Sequence, residues 1–210
     1  MTAKALPIKS GLAPALEPAL KPALEPVRNR DFLDWIAAHP HSHFAAGSVL
    51  CGPDQAPSKV WLVRSGLVRV YVCSADGHEF NRAFVGPNEW VFGRLVWRDG
   101  VVCCADQAIA AQALTATHAS AITVADLLRW QAADPQAAAL MSDVMLQATA
   151  ASWAREADLI QLSAKQRYAD LLAKQPQLLE HVTLVQIAAW LGITPVALSR
   201  IRKQSGLRSK

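Results

Sequence analysis

Between Phe44 and about Thr123, hydrophobic and polar residues alternate in short runs that are separated by turn residues. Alternation with a period of two is typical of β-strands that have one buried face. The runs that fit this pattern cover residues 59–65, 67–73, 79–85, 106–114 and 121–124. Asp76-Gly77, between the second and third runs, is a dipeptide that favours a tight β-hairpin. Many short strands at nearly regular spacing predict an antiparallel sandwich or barrel.

After Val124 the apolar residues recur with the period of an α-helix. From about Pro135 to Ile160 the chain contains no glycine and no internal proline. A narrow apolar seam runs along this stretch at intervals of three, four and three residues, formed by Met141, Val144, Ala148 and Ala151. Such a seam is typical of one helix that packs on another, so we predict a dimerisation helix over residues 135–162. A helix that packs on its own barrel is the alternative.

Two capping boxes, Ser163 with Gln166 and Thr183 with Gln186, mark helix starts in the C-terminal segment. In a capping box, the hydroxyl and the glutamine satisfy free amide groups of the first turn. The apolar face of the helix that follows Thr183 consists of Leu184, Ile187, Ala188 and Leu191. This helix ends at Gly192, because glycine tolerates the left-handed conformation that follows many helices.

A third helix begins directly afterwards, with Thr194 as its N-cap and Pro195 as its first residue. Leu198 and Ile201 supply its buried side. Two short helices that are joined by a glycine-containing turn predict a helix-turn-helix motif, in which the second helix enters the major groove of DNA.

The third helix turns a polar face outward, formed by Val196, Ser199, Arg200 and Lys203. We expect Ser199 and Arg200 to read base edges, because arginine bridges the O6 and N7 atoms of guanine. Phosphate contacts are expected from Arg202, Lys203 and either Lys165 or Arg167. The predicted DNA-binding set is Thr194, Val196, Ser199, Arg200, Arg202, Lys203, Lys165 and Arg167.

The net charge of +4 is unevenly distributed along the chain. Residues 163–210 hold eight Lys or Arg and two Asp or Glu, which gives this segment a net charge of +6. The remaining residues hold 13 Lys or Arg and 15 Asp or Glu, which gives a net charge of −2. A basic C-terminal block on a weakly acidic body is expected when one domain binds a polyanion. A solvated basic tail is the alternative.

The chain resembles the Crp/Fnr family of bacterial transcription regulators. The similarity covers residues 30 to 205 approximately and is carried by FAAG at 44–47, WLVRSGLVRVY at 61–71, Asp76-Gly77, FVGPNE at 84–89, LSAKQRY at 162–168 and IAAWLGITPVALSRIRK at 187–203. The resemblance implies an α+β fold with an N-terminal antiparallel β-barrel, a cyclic-nucleotide-binding-like jelly roll, over residues 30–134. The dimerisation helix and the helix-turn-helix domain, 163–210, follow it, and the Pro/Ala-rich leader, 1–29, is expected to be disordered.

The resemblance also implies a function. We expect a non-enzymatic regulator that binds double-stranded DNA as a homodimer on a pseudo-palindromic site, with RNA polymerase as a further partner. No run of apolar residues reaches the length of a membrane helix, and the first residues lack the pattern of a signal peptide, so we expect no membrane partner and a cytoplasmic location.

The ligand site departs from the family pattern. In members that bind cyclic AMP, a Gly-Glu pair holds the ribose and an Arg-Ser pair holds the phosphate. Gly93, Arg94, Cys103 and Cys104 occupy the matching places here and form the candidate ligand pocket. Without the carboxylate and the phosphate-binding arginine, a buried cyclic nucleotide would lack its partners, so we do not expect cyclic AMP as the effector. The barrel either senses an unknown signal or has lost sensing, and no cofactor is predicted. In the recognition helix, Val196 stands where a base-reading glutamate often stands.

Three rival interpretations remain open. The run from His39 to His43 has three histidines and is a candidate metal site, although a solvated loop is favoured and no metal is predicted. Adjacent Cys103 and Cys104 are expected to be reduced, buried thiols, with redox sensing as the alternative. At the level of function, the rivals are a cupin-like protein that binds a metal or small molecule, and an interaction module that no longer binds DNA.

Overall fold

The computed structural model of the chain describes residues 35–52, 59–92, 95–98, 101–104 and 109–204. For 95–98, 101–104 and position 177, only the backbone is described. The predicted leader, 1–29, lies outside these ranges, and so do Gly93 and Arg94 of the candidate ligand pocket.

The N-terminal part is built from antiparallel sheets, as the alternating pattern predicted. The strands are β1 His41–Phe44, β2 Val49–Cys51, β3 Lys59–Ser65, β4 Val68–Cys73, β5 Glu79–Val85, β6 Trp90–Val91, β7 Leu95–Arg98, β8 Val101–Cys104, β9 Ala110–Ala113 and β10 Thr117–Thr123. They form two four-stranded sheets, in the orders β1-β10-β3-β6 and β2-β9-β4-β5, and a β7-β8 pair. Neighbouring strands in each sheet run antiparallel.

Strand β3 is apolar on both faces because each face meets a different layer. Trp61 and Val63 point into the cluster between the two sheets. Val60 and Leu62 point the other way, into a second cluster that is shared with the helices. Successive side chains of a strand alternate between its faces, so a strand that is covered on both sides needs a continuous apolar run.

Two turns contain a residue in the left-handed conformation, and the first of them confirms the hairpin predicted from Asp76-Gly77. Gly77 has φ +81° in the β4-β5 hairpin, where the amide of Ser74 donates a hydrogen bond of 2.9 Å to the carbonyl of His78. Asn88 has φ +66°, and its amide donates to the carbonyl of Val63 at 2.8 Å. Asparagine tolerates this left-handed conformation better than most residues, which explains its place at this corner.

The C-terminal half is helical. The helices are α1 Val124–Ala133, α2 Pro135–Gln161, α3 Ala164–Lys174, a 3-10 helix Pro176–Glu180, α4 Leu184–Leu191 and α5 Pro195–Gln204. Both predicted capping boxes are formed, at Ser163 and at Thr183. Gly192 ends α4 with φ +66°, as predicted from its position.

Helices α3, α4 and α5 enclose a separate apolar core. Its buried members are Tyr168, Leu171, Leu178, Ile187, Ala188, Leu191 and Leu198. Ile201 is half-buried against this core, whereas Leu184, which shares the apolar face of α4 in sequence, is exposed. The short helices therefore gain their stability from packing rather than from length.

Two of the three histidines of the run, His41 and His43, lie in a strand rather than in the predicted solvated loop, and His39 precedes this strand. His41–Phe44 forms β1, which pairs with β10, and the rings of His43 and His118 lie 4.2 Å apart. Within the described ranges, no group of three or more His, Cys, Asp or Glu is placed to hold a metal ion.

In the part of the chain that the structure describes, no single helix is long and apolar enough to cross a membrane. Among the described helices, the pair α4 and α5, with a bend of 95° between them, has the length and composition of a span only when the two are taken together.

Candidate nucleic-acid interface

Helix α5 presents a mixed polar and apolar face to solvent. Leu198 is fully buried and fixes the rotation of the helix. The hydroxyl of Thr194 accepts a hydrogen bond of 3.2 Å from the amide of Ala197, as expected of an N-cap. The residues on the outer face are exposed: Thr194, Val196, Ser199, Arg200 and Lys203. The set that the sequence placed outward is thus on one exposed surface.

Two further cations of the predicted set differ in exposure. Lys165, at the start of α3, is exposed. Arg202 is half-buried, and its Nε has no hydrogen-bond partner among the described residues.

Arg167 has a structural position that the sequence did not reveal. Its Nη2 donates to the carbonyl of Leu191 at 2.8 Å, and its Nη1 donates to the carbonyls of Leu159 and Leu162. These carbonyls belong to the C-terminal ends of α4 and α2, where the last turn has no amide partner of its own. The guanidinium joins two helix ends and is therefore not free to bind phosphate in this arrangement, in contrast to the expectation.

The seam that the sequence assigned to dimerisation lies on the barrel side of α2. Met141 is only 3% exposed and packs in the cluster with β3, and Val144 lies against the same cluster. Ala148 and Ala151 line the groove between α2 and the barrel. Packing on the chain's own barrel, the alternative that the sequence left open, thus accounts for the first half of the seam.

A second apolar stripe on α2 is exposed. Its large members, Leu146, Trp153 and Ile160, are 62%, 70% and 76% exposed. With Ala150 and Ala157 between them, they recur at intervals of four, three, four and three residues. At 3.6 residues per turn, this stripe lies almost opposite the Met141 seam. The spacing was visible in the sequence, but choosing between the stripes requires knowledge of which face the barrel covers.

A junction between the barrel and the helix-turn-helix domain is built around Arg155 of α2. Its Nη2 donates to the carbonyl of Trp190 in α4 and, at 3.2 Å, to that of Asn81 in β5. The side chain of Asn81 is buried, and its Nδ2 donates to the carbonyl of Gln186 at 2.8 Å. The Trp190 ring also packs on Phe84 of β5. One strand and two helices therefore meet through paired polar groups and aromatic contacts.

Burial disfavours the charged form of the Arg155 guanidinium. Desolvation, with smaller contributions from the nearby positive charges of Arg167 and Arg82, lowers the pKa of Arg155 to about 10. The group stays protonated near neutral pH, because that pKa lies well above 7. Its hydrogen bonds to two carbonyls and its stacking on Trp190 offset the desolvation.

The junction continues into the barrel through Arg69 of β4. Its Nη1 lies 2.6 Å from the carboxylate of Glu79 and 3.4 Å from Oδ1 of Asn81, and its Nε donates to Gln112 at 2.8 Å. The guanidinium also stacks on Tyr71, with 4.1 Å between its carbon and the ring centre. Nε and Nη1 of this buried arginine are thus both paired, and Nη1 contacts the side chain of Asn81.

The candidate ligand pocket is described only in part. Cys103 and Cys104 belong to β8, in register with Val96 and Leu95 of β7. Of the other cysteines, Cys51 is buried and Cys73 is exposed. Burial raises the pKa of the Cys51 thiol, which remains un-ionised near neutral pH.

Known structures share this architecture. A regulator assigned to the crp/fnr family from Eubacterium rectale superposes with a TM-score of 0.69 and 15% identity, over 85% of this chain and 84% of that one. FixK2 from Bradyrhizobium japonicum superposes with a TM-score of 0.67 and 19% sequence identity, over 80% of this chain and 85% of that one. The c-di-GMP responsive global regulator CLP from Xanthomonas campestris superposes with a TM-score of 0.66 and 16% sequence identity, over 83% of this chain and 90% of that one.

No family model and no curated protein matches the sequence. The similarity is therefore one of structure, at sequence identities below 20%. It confirms the fold that the motifs predicted: the chain has the architecture of the Crp/Fnr transcription regulators, with an antiparallel β-barrel followed by a helical domain.

Proposed function

We propose that the protein is a sequence-specific DNA-binding transcription regulator that acts as a homodimer. The observation that carries this proposal is the surface of α5. Leu198 anchors the helix in a packed core, while Ser199, Arg200 and Lys203 are exposed together on its outer side. A helix that enters the major groove needs such a rigid support and such a mixture of hydrogen-bonding and cationic groups.

The charge distribution supports duplex DNA as the partner. The excess of positive charge is confined to the segment that contains α3, α4 and α5. Lys165 and Lys203 are both exposed, which suits contacts with phosphate. Arg200 is our choice for base reading because a guanidinium pairs with guanine in two places. Arg167 is withdrawn from the phosphate-binding set, since its donors are used by main-chain carbonyls.

We propose that two copies pair through the second stripe of α2, whose members are Leu146, Ala150, Trp153, Ala157 and Ile160. Its three large side chains are exposed and its two alanines are half-buried. A stripe with alternating intervals of three and four residues is the pattern that two α-helices bury against each other. Three large apolar side chains on one solvent-exposed stripe also need a cover in solution. A two-fold dimer of this kind would contact half-sites about 10 bp apart, centre to centre.

The effector is proposed to be something other than cyclic AMP. The argument is chemical: at the positions of the ribose carboxylate and the phosphate-binding arginine, this chain has Arg94 and Cys104. Calorimetric titration with cyclic AMP, cyclic GMP and cyclic di-GMP tests it. Binding of cyclic AMP at micromolar concentration would contradict the proposal.

Selection of bound duplexes from a random pool tests the function itself. Purified protein should enrich a pseudo-palindromic sequence, and its affinity should fall steeply as salt rises, because bound phosphates release counterions. Arg200→Ala should relax one base position and cost about 1–3 kcal/mol. Arg129, an exposed arginine of α1, provides the matched control, and Arg129→Ala should leave the affinity unchanged. A pool without enrichment, even at low salt, would favour an interaction module that does not bind DNA.

Transcription in vitro from a promoter that carries the selected site tests RNA polymerase as a partner. If the protein works with RNA polymerase, transcript yield should change when the regulator is added. A promoter with both half-sites scrambled is the control, and equal effects on the two promoters would contradict the proposal.

A further inference from the structure

Val196 is an apolar side chain in the middle of a polar surface. It is the second residue of α5 and is 62% exposed. Its neighbours on the exposed face are Thr194, Ser199, Arg200 and Lys203. An apolar group gains nothing from water, and Val196 lies at the end of the helix that the proposed function places nearest to the bases.

The direction of this side chain is restricted before any partner arrives. Valine in a helix occupies one χ1 rotamer in about nine cases of ten, because its β-branch clashes with the preceding turn in the others. Pro195 restricts the backbone directly before it, and the hydroxyl of Thr194 caps the same turn through the amide of Ala197. The two methyl groups of Val196 are therefore presented in a nearly fixed orientation.

Only one base offers an apolar group in the major groove. Thymine presents its 5-methyl group there, whereas the edges of the other three bases present hydrogen-bond donors and acceptors. Opposite those edges, Val196 would bury polar atoms without giving them a partner, which is unfavourable. Opposite thymine, the methyl groups of Val196 would be buried against the 5-methyl group of the base. The chemistry of this position thus favours one base over the others.

We propose that Val196 determines specificity by contacting the methyl group of a thymine in each half-site. This inference rests on the proposed DNA-binding function. Arg200 lies one helical turn after Val196 on the same face. Residues four apart on a helix have Cβ atoms about 5–6 Å apart, and base pairs stack every 3.4 Å or so, hence the thymine lies within about two base pairs of the guanine that Arg200 reads.

The test uses the half-site obtained by selection, with each thymine replaced in turn by deoxyuridine. This replacement removes one methyl group and leaves the hydrogen-bonding pattern of the pair intact. At one thymine per half-site, affinity should fall about fourfold, which is the burial free energy of a methyl-sized group, about 0.8 kcal/mol, converted at about 1.4 kcal/mol per tenfold. The other thymines should show smaller changes.

Two variants assign the effect to the side chain. Val196→Ala should bind the thymine and deoxyuridine duplexes equally, because the γ-carbons that contact the methyl are gone. Val185 of α4 is equally exposed, at 62%, and Val185→Ala should keep the fourfold preference for thymine. Both positions are exposed, so neither change removes a core contact.

The outcomes separate this inference from the function on which it rests. A selected half-site without thymine, or one in which no deoxyuridine replacement weakens binding, overturns the inference and leaves DNA binding intact. A preference for thymine that survives Val196→Ala overturns the assignment to Val196. A failure to enrich any sequence overturns the proposed function, and the inference with it.

Discussion

The guanidinium carbon of Arg155 lies 3.6 Å from the centre of the Trp190 indole ring, and the same guanidinium donates a hydrogen bond to the main-chain carbonyl of Trp190. Arg155 belongs to the long helix α2, and Trp190 belongs to α4 of the helix-turn-helix domain. Because Arg155 also binds the carbonyl of Asn81, one side chain connects the long helix, the barrel and the C-terminal helical domain.

Removal of this arginine should loosen the junction. We expect Arg155→Ala to lower the free energy of unfolding by about 2 kcal/mol, since charged hydrogen bonds and a cation–π contact are lost while the cost of burying the charge disappears. Arg155→Lys should be almost as destabilising, because an ammonium group cannot replace the planar stack on Trp190. Chemical denaturation of each variant measures the loss.

Arg129→Ala is the matched control for these variants. Arg129 is exposed and pairs only with Asp126 on its own helix, so its removal should change stability by less than about 0.5 kcal/mol. Equal stability of Arg155→Ala and Arg129→Ala would show that the junction contributes little.

Arg167 and Lys165 should respond in opposite ways to truncation. Arg167→Ala should destabilise the fold by about 1–3 kcal/mol, because the carbonyls of Leu191 and Leu162 lose their donor. Lys165→Ala should leave stability unchanged and lower the salt dependence of DNA affinity by about one unit of slope, as expected for one lost phosphate contact. Thermal unfolding and salt titrations of DNA binding check both. The reverse pattern would return Arg167 to the phosphate-binding set.

The features that the sequence predicted correctly are those with local causes. The capping boxes at Ser163 and Thr183 act within four residues, and so do the turns at Gly77 and Gly192. Each of these motifs specifies its own backbone conformation, and together they predicted the β4-β5 hairpin, the starts of α3 and α4 and the helix-turn-helix connection. The periodicity of the apolar residues then indicated which face of each element is buried.

The features that the sequence missed depend on contacts between distant residues. Arg155 and Asn81 are 74 positions apart, and Arg167 and Leu191 are 24 apart. No periodicity indicates that an arginine will be used by a carbonyl of another helix rather than by phosphate. Helix α2 illustrates the same limit, because it carries two apolar stripes and only the docked barrel distinguishes the one that is free.

Disulfide formation distinguishes the two stripes of α2 in a dimer. Ala150 is half-buried and lies on the stripe of Leu146, Trp153 and Ile160, whereas Ala151 is exposed and lies at the end of the Met141 seam, about 100° further around the helix. In a chain that carries Cys73→Ser, Ala150→Cys should form a disulfide-linked dimer under mild oxidation, since paired positions in a two-helix seam come within disulfide reach. Ala151→Cys should stay unlinked. Non-reducing electrophoresis shows the result, and linkage through Ala151→Cys alone would restore the seam predicted from sequence.

The described cysteines should differ sharply in reactivity. Burial raises the pKa of Cys51, whose thiol also lies 3.6 Å from the carbonyl of Ile109, whereas Cys73 is exposed. Cys51 should therefore be alkylated at least about tenfold more slowly than Cys73 at pH 7.5. Burial keeps the reagent away from the Cys51 sulfur and also keeps that thiol protonated, whereas the thiolate is the reactive form. Peptide mapping after timed alkylation measures the two rates separately. Similar rates at the two sites would mean that the barrel opens readily around β2.

Gly66 should tolerate no side chain, and comparison with Gly47 separates the steric cause from backbone strain. It has φ +94°, and a Cβ there would lie 2.5 Å from the carbonyl oxygen of Ala116 and 2.7 Å from the Cα of Thr117. Gly47 has a similar φ of +86°, but a Cβ there would meet nothing within 4 Å. Gly47→Ala should therefore cost only the left-handed backbone strain, about 1–2 kcal/mol. Gly66→Ala should cost about 3 kcal/mol or more, because overpacking against main chain is added to that strain. Equal losses in chemical denaturation would mean that the loop between β9 and β10 moves away at little cost, so that the close approach of Gly66 to Thr117 is not needed to hold the barrel together.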